Sequence, residues 1–218
     1  VRLWDVATGH ERATLTGHTG TVGWVAFSPD GTQLATASDD RTVRLWDVAT
    51  GHERATLTGH TGTVEWVAFS PDGTQLATAS DDWTVRLWDV ATGHERATLT
   101  GHTGTVGWVA FSPDGTQLAT ASTDRTVRLW DVATGHERAT LITGHTGTVW
   151  WVAFSPDGTQ LATASTDRTA RLWDVATGHE RATLTGHTGA VGWVAFSPDG
   201  TQLATASDDR TARLWAIT

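Results

Sequence analysis

Short apolar runs alternate with polar, glycine-marked gaps along the whole chain, and within the runs the pattern has the two-residue period of strands. In "TVGWVAFSPDGT", from Thr21, a β-rich run stops at Pro29 and Gly31, a pair that fits a tight hairpin turn. "QLATAS" follows, with Leu34, Thr36 and Ser38 on one face and Ala35 and Ala37 on the other. "DDRT" turns the chain into "VRLWDV", and "ATGHE" turns it again into "RATLT". These four runs are predicted strands a, b, c and d. No stretch has a convincing helical period, so the expected fold is all-β.

The unit is copied almost letter for letter. "GHTG" recurs at Gly17, Gly59, Gly101, Gly144 and Gly186, at spacings of 42, 42, 43 and 42 residues, the odd one caused by Ile142 in "ATLITGH". A period of about 40–45 residues is what a four-stranded propeller blade requires. Strands a, b and d each occur five times, but strand c occurs six times, first over Val1–Val6 and last over Ala212–Ile217. Residues 1–16 therefore supply strands c and d of a partial repeat within one domain over 1–218. Val1 opens in mid-motif, whereas "WDVATG" decays to "WAIT" at the other end, which suggests a cut N-terminus and a true C-terminus.

Composition narrows the partners. Fifteen basic residues, all arginine, against twenty-four acidic ones give a net charge of −9. Nucleic acid, which needs a basic face, is not an expected partner. No run approaches the roughly eighteen apolar residues of a membrane helix, and no charged-then-apolar leader opens the chain. The absence of cysteine removes disulfides and thiolate metal sites and suits a cytoplasmic protein. Lysine, asparagine, tyrosine and methionine are missing too, a narrow alphabet that points to a GC-rich genome or a consensus design.

"GH", "VAFSPDG" and "LATASDDRTVRLWD", taken together, resemble the WD-repeat (WD40) β-propeller family over essentially the whole chain. The resemblance implies four-stranded antiparallel blades arranged around a central channel, each sheet facing its neighbours. It also implies a non-enzymatic interaction scaffold that uses no cofactor. Rings of this family commonly have about seven or eight blades and close when an N-terminal strand completes the last one. By that rule Arg12–Thr16 can serve as strand d beside Ala212–Ile217, leaving Val1–Val6 surplus. Five blades must turn more sharply than seven and crowd their inner strands, so the chain is expected to be the C-terminal part of a larger ring, or else a five-bladed closure unusual for the family. An unclosed ring exposes strand edges and favours a homo-oligomer. Arrays of such similar copies resemble sensor regions of large bacterial signalling ATPases and kinases.

Each unit holds a histidine, a threonine, an aspartate and a tryptophan at fixed offsets. The sets are His18, Thr36, Asp40 and Trp46; His60, Thr78, Asp82 and Trp88; His102, Thr120, Asp124 and Trp130; His145, Thr163, Asp167 and Trp173; and His187, Thr205, Asp209 and Trp215. A hydroxyl, an imidazole and a carboxylate have the makings of a nucleophile, a base and an orienting group. The family resemblance instead makes each set a hydrogen-bonded tetrad that ties strands b and c to the d–a turn. Five identical copies around a ring also do not make one active site. Ser38 is the alternative hydroxyl, on the same strand face as Thr36. The second histidines, His10, His52, His94, His136 and His179, fall in the c–d turn, a blade apart and too far to share a metal. Trp24, Trp66, Trp108, Trp151 and Trp193 stand where the family usually has a small residue, and either pack between blades or line the channel.

The copies differ at eleven positions, of which Ala216 and Ile217 belong to the C-terminus and Ala170 and Ala212 are mild changes from valine. Of the seven left, Glu65, Trp150 and Ala190 lie at the start of strand a, and Trp83, Thr123 and Thr166 flank the tetrad aspartate in the b–c turn. The seventh is Ile142, in a d–a connection. In a propeller these segments share one rim. The expected function is binding of a protein or peptide there, with Trp150 and Trp83 as anchors and Glu65 supplying charge. Neutral drift at loop tips gives the same clustering. Two other readings remain: a consensus or designed propeller without a partner, and a lectin-like ring using the Trp24-type indoles.

Overall fold

The computed structural model describes residues 1–141 and 144–217, leaving Ile142 outside the described residues, and all its regular elements are strands. A hairpin of β1 (Arg2–Trp4) and β2 (Glu11–Thr14) comes first. Blade 1 follows as β3 (Val22–Phe27), β4 (Gln33–Ser38), β5 (Val43–Asp47) and β6 (Glu53–Leu57). Blade 2 is β7 (Val64–Phe69), β8 (Gln75–Ser80), β9 (Val85–Asp89) and β10 (Glu95–Leu99). Blade 3 is β11 (Val106–Phe111), β12 (Gln117–Ser122), β13 (Val127–Asp131) and β14 (Glu137–Leu141). Blade 4 is β15 (Val149–Phe154), β16 (Gln160–Ser165), β17 (Ala170–Asp174) and β18 (Glu180–Leu184). Blade 5 has three strands, β19 (Val191–Phe196), β20 (Gln202–Ser207) and β21 (Ala212–Ala216).

Repeated local chemistry sets each hairpin. In the first a–b turn Gly31 takes φ 70°, and the Asp30 carboxylate accepts from the Ser28 hydroxyl at 2.6 Å and the Thr32 N–H at 3.0 Å. One irregularity recurs in all five a strands: a β-bulge follows the first residue. In blade 1 Val22 pairs with Ser38 and Trp24 with Ala37, so Gly23 has no partner across the ladder. Glu65, Gly107, Trp150 and Gly192 occupy the same place in their blades. A bulge frees a side chain from the alternation of the sheet and re-aims it.

In blades 1–4 strand b is buried on both faces because each of those sheets is sandwiched between two others. Ala35, Ala37, Val43, Leu45 and Leu57 of blade 1 pack against Val64, Val67, Leu76 and Trp88 of blade 2. The same apolar joint recurs where Ala162, Ala164, Ala170 and Leu172 meet Val191, Val194 and Leu203. Each buried leucine or valine in such a joint contributes about 1.5–3 kcal/mol. The alanines let the facing sheet approach.

The five-bladed closure by Arg12–Thr16 does not form, in keeping with the other reading, an open part of a larger ring. β2 pairs with β1, Leu3 opposite Ala13, in the register by which Leu45 faces Ala55, and β21 has no outer partner. The reason is local. A short turn, with Gly9 at φ 70° and its N–H on the Asp5 carbonyl at 2.8 Å, brings β2 to β1 at little loop-closure cost. Leu3 and Ala13 then seat the hairpin on Leu34 and Trp46 of blade 1. The sheets therefore do not close into a ring within the chain. Leu214 is 74% exposed, whereas its counterparts Leu45, Leu87 and Leu129 are 1% exposed. No helix among the described residues is long and apolar enough to cross a membrane.

Candidate binding rim

The polar framework that holds the rim begins in strand b. Each indole N–H can only donate, and it donates to the threonine Oγ1 at 2.9–3.0 Å in all five units. The same oxygen lies 2.7–2.8 Å from the histidine Nε2. With the indole N–H donating to it, the hydroxyl in turn donates its O–H to an unprotonated Nε2, which leaves Nδ1–H to donate to the aspartate Oδ2 at 2.8 Å. The carboxylate also takes the Thr19 N–H at 2.9 Å and, on Oδ1, the Thr42 hydroxyl at 2.6 Å. Ser38 is not in the chain; its Oγ accepts the Asp40 N–H at 3.1 Å and shapes the turn.

This wiring fixes protonation. Burial pushes the Asp82 carboxyl up, but hydrogen bonds from the Thr84 hydroxyl, the Thr61 N–H and His60 outweigh it and hold it at about 2. The same balance keeps Asp40, Asp124 and Asp167 below the usual carboxylate range. Burial pushes His60 and His145 down, against the pull of Asp82 and Asp167. The hydroxyls of Thr36, Thr78, Thr120 and Thr163 belong to residues 0% exposed, so no substrate reaches them as nucleophiles. The c–d turn histidines are exposed.

One backbone bond ties the b–c turn to the start of strand a in every blade: Asp39 N–H to Thr21 O, Asp81 to Thr63, Thr123 to Thr105, Thr166 to Thr148 and Asp208 to Ala190, at 2.9–3.0 Å. The variable positions of the two segments are thus neighbours. Glu65 and Trp150 project from their bulges, Glu65 half-buried and Trp150 47% exposed. An added Cβ at Gly23, Gly107 or Gly192 meets nothing within 4 Å, which explains why this place accepts a glutamate or an indole. Trp83 is 52% exposed at the tip of its turn, at φ 70°, where Arg41, Arg125, Arg168 and Arg210 take φ 68–72°. Thr123 is exposed, and Thr166 and Ala190 are half-buried.

The channel mouth on this rim is a cavity of about 560 Å³ whose lining includes Glu65, Trp150, Ala190 and Asp208 over the indoles of Trp24, Trp66, Trp108 and Trp151. Trp83, Thr123 and Thr166 are not part of that lining. Trp24, Trp66, Trp108, Trp151 and Trp193 touch in succession as one ladder, alternate members 5.6–5.8 Å apart and edge-on. They pack and line the channel at once. Sequence reasoning overlooked Asp208. The only sequence signal for it is indirect: Thr123 and Thr166 stand where the other blades keep an aspartate, Asp39, Asp81 and Asp208.

The family profile of WD40, the WD domain or G-beta repeat, matches residues 9–47, 51–89, 93–131, 135–174 and 178–216. The chain belongs to the WD40 family. Each matched repeat runs d–a–b–c, whereas each full blade runs a–b–c–d, so WD40 repeat and blade are offset by one strand. Coronin-7 of Mus musculus is similar over one repeat length: 52% identity over 40 residues, 18% of this chain and 4% of Coronin-7.

Proposed function

We propose that this WD40 chain is a non-enzymatic scaffold that binds a protein or peptide on the rim carrying Glu65, Trp83 and Trp150. WD40 repeats in general scaffold protein interactions, and the observation behind the finer reading is where the repeats differ. The tetrads and most of the apolar joints are copied unchanged, while Glu65, Trp150 and Ala190 converge on one cavity and Trp83, Thr123 and Thr166 stand in the turns beside it. Exposed indoles in such places suit interface anchors. The reading needs no cofactor, no nucleic acid and no membrane, and it places the protein in the cytoplasm.

The test is selection of a random peptide library on the chain and on a levelled variant, Glu65→Gly, Trp83→Arg and Trp150→Gly. The variant restores what sister blades carry, so it keeps the fold. Peptides retained by the native chain and lost by the variant support the rim; equal retention, or none, favours a partnerless consensus propeller. The lectin-like alternative needs five equivalent indole faces, but Trp66 and Trp108 are buried in the ladder.

A second reading, self-association, is favoured by the uncovered apolar face around Leu214. Its counterparts on blades 1–4 each pack against the valine face of the next sheet, and blade 1 leaves Val25 of such a face exposed. Sedimentation velocity decides it: copies joined head to tail give concentration-dependent oligomers, and a strict monomer removes the reading.

A further inference from the structure

We propose that the rim cavity holds the guanidinium of an arginine carried by the partner peptide, stacked on the indoles of Trp150 and its neighbours and paired with Glu65; this rests on the rim-binding reading above. The cavity, about 560 Å³, has the size of a small-ligand site. Its wall is largely aromatic, and indole faces attract cations more strongly than other rings do. The ionisable side chains in the lining are the carboxylates of Glu65 and Asp208, and among the described residues neither makes a hydrogen bond or ion pair. Burial, then Asp81 and Asp39, push the Glu65 carboxyl up, as expected of an acid that lacks a cationic partner.

The departures from repeat symmetry point the same way. Blade 2 alone gains a carboxylate, Glu65, and alone loses the turn-tip guanidinium that the others keep as Arg41, Arg125, Arg168 and Arg210. Blades 3 and 4 replace the turn aspartate with Thr123 and Thr166, and blade 4 supplies Trp150. The mouth thus carries carboxylates, Glu65 from blade 2 and Asp208 from blade 5, together with the Trp150 indole from blade 4. A planar guanidinium satisfies both, its face on an indole and its fork of N–H donors on a carboxylate, whereas a lysine ammonium lacks the stacking face.

The experiment takes peptides selected on the native chain, resynthesises the tightest with each arginine changed in turn to citrulline, lysine or trimethyllysine, and titrates them by calorimetry. Arginine enriched at one fixed position, a loss of at least about ten-fold for citrulline there, and a similar loss for Glu65→Gln with the arginine peptide are the expected results. Equal binding of citrulline, preference for trimethyllysine, no arginine enrichment, or indifference to Glu65→Gln overturns the assignment. The two levels separate cleanly. Peptides lost by the levelled variant but lacking arginine keep the rim and refute the cation. Arginine peptides held equally by the levelled variant refute the rim itself.

Discussion

Thr120→Val removes one oxygen from the middle blade and preserves the branched shape of the side chain. Among the described residues that oxygen is the only acceptor of the Trp130 indole N–H, at 3.0 Å, and it lies 2.8 Å from His102 Nε2. Trp130 is 2% exposed, so water does not replace the lost bond. Each orphaned buried group costs about 1–3 kcal/mol, and two give about 2–5 kcal/mol after partial relaxation. For a chain of this length that lowers Tm by roughly 4–20 °C. Thr205→Val in blade 5 is the control, since its Trp215 is half-buried and water can rescue the indole N–H. Its loss should be smaller by at least about 1 kcal/mol. Guanidinium titrations followed by both circular dichroism and tryptophan fluorescence measure the two, with the probes checked for coincidence because stacked repeats can unfold in parts. A loss below about 0.5 kcal/mol at Thr120, or equal losses at both sites, refutes the reasoning.

Acid should destabilise the chain in two steps. His60 and His145 are pushed below 6.5 in the folded state, so the unfolded chain binds protons first and stability falls as pH drops through 6.5. Asp82 adds a second loss between its ordinary 3.8 and about 2. Urea midpoints near pH 7.5 and 5.5 check the first step, and an unchanged or higher midpoint at the lower pH contradicts it. Gly107→Trp should shift stability by less than about 0.5 kcal/mol, because its Cβ direction is open, whereas Gly62→Ala should cost about 1–3 kcal/mol, its Cβ landing 2.8 Å from the Asp82 nitrogen. Thermal melts that reverse this order would undo the account of the bulge. Trp83→Gly relieves a side chain from a left-handed backbone at φ 70° and should leave stability unchanged or raise it by up to about 1 kcal/mol, even as peptide binding weakens. A melt several degrees lower would count against Trp83 as a rim residue without structural duty.

The strands were legible because their determinants are local. A proline and glycine after "VAFS", alternation through "QLATAS" and a strict period place the hairpins without any long-range knowledge. The closure was not legible. Whether Arg12–Thr16 joins β1 or β21 depends on a balance between a nearby hairpin partner and a distant edge, and both partners have nearly the same sequence. The positions of Glu65 and Trp150 could be read from differences between copies, but not their direction. Direction comes from the bulge, a shift in ladder register that strand alternation does not announce. The acidity of the mouth was hidden for another reason. Asp39, Asp81 and Asp208 look like ordinary turn residues until the fold sets Asp39 and Asp81 close enough to act on Glu65 and places Asp208 in the cavity wall.

The most direct measurement is an amide hydrogen-exchange footprint of a library-selected peptide bound to the native chain. Binding at the rim predicts protection at the starts of β7 and β15 and in the turns around Trp83, Thr123 and Thr166. The opposite a–b turns at Pro29, Pro71 and Pro113 should remain unchanged. Protection centred on those a–b turns, or on the exposed c–d edge at His52 and His94, would contradict the account.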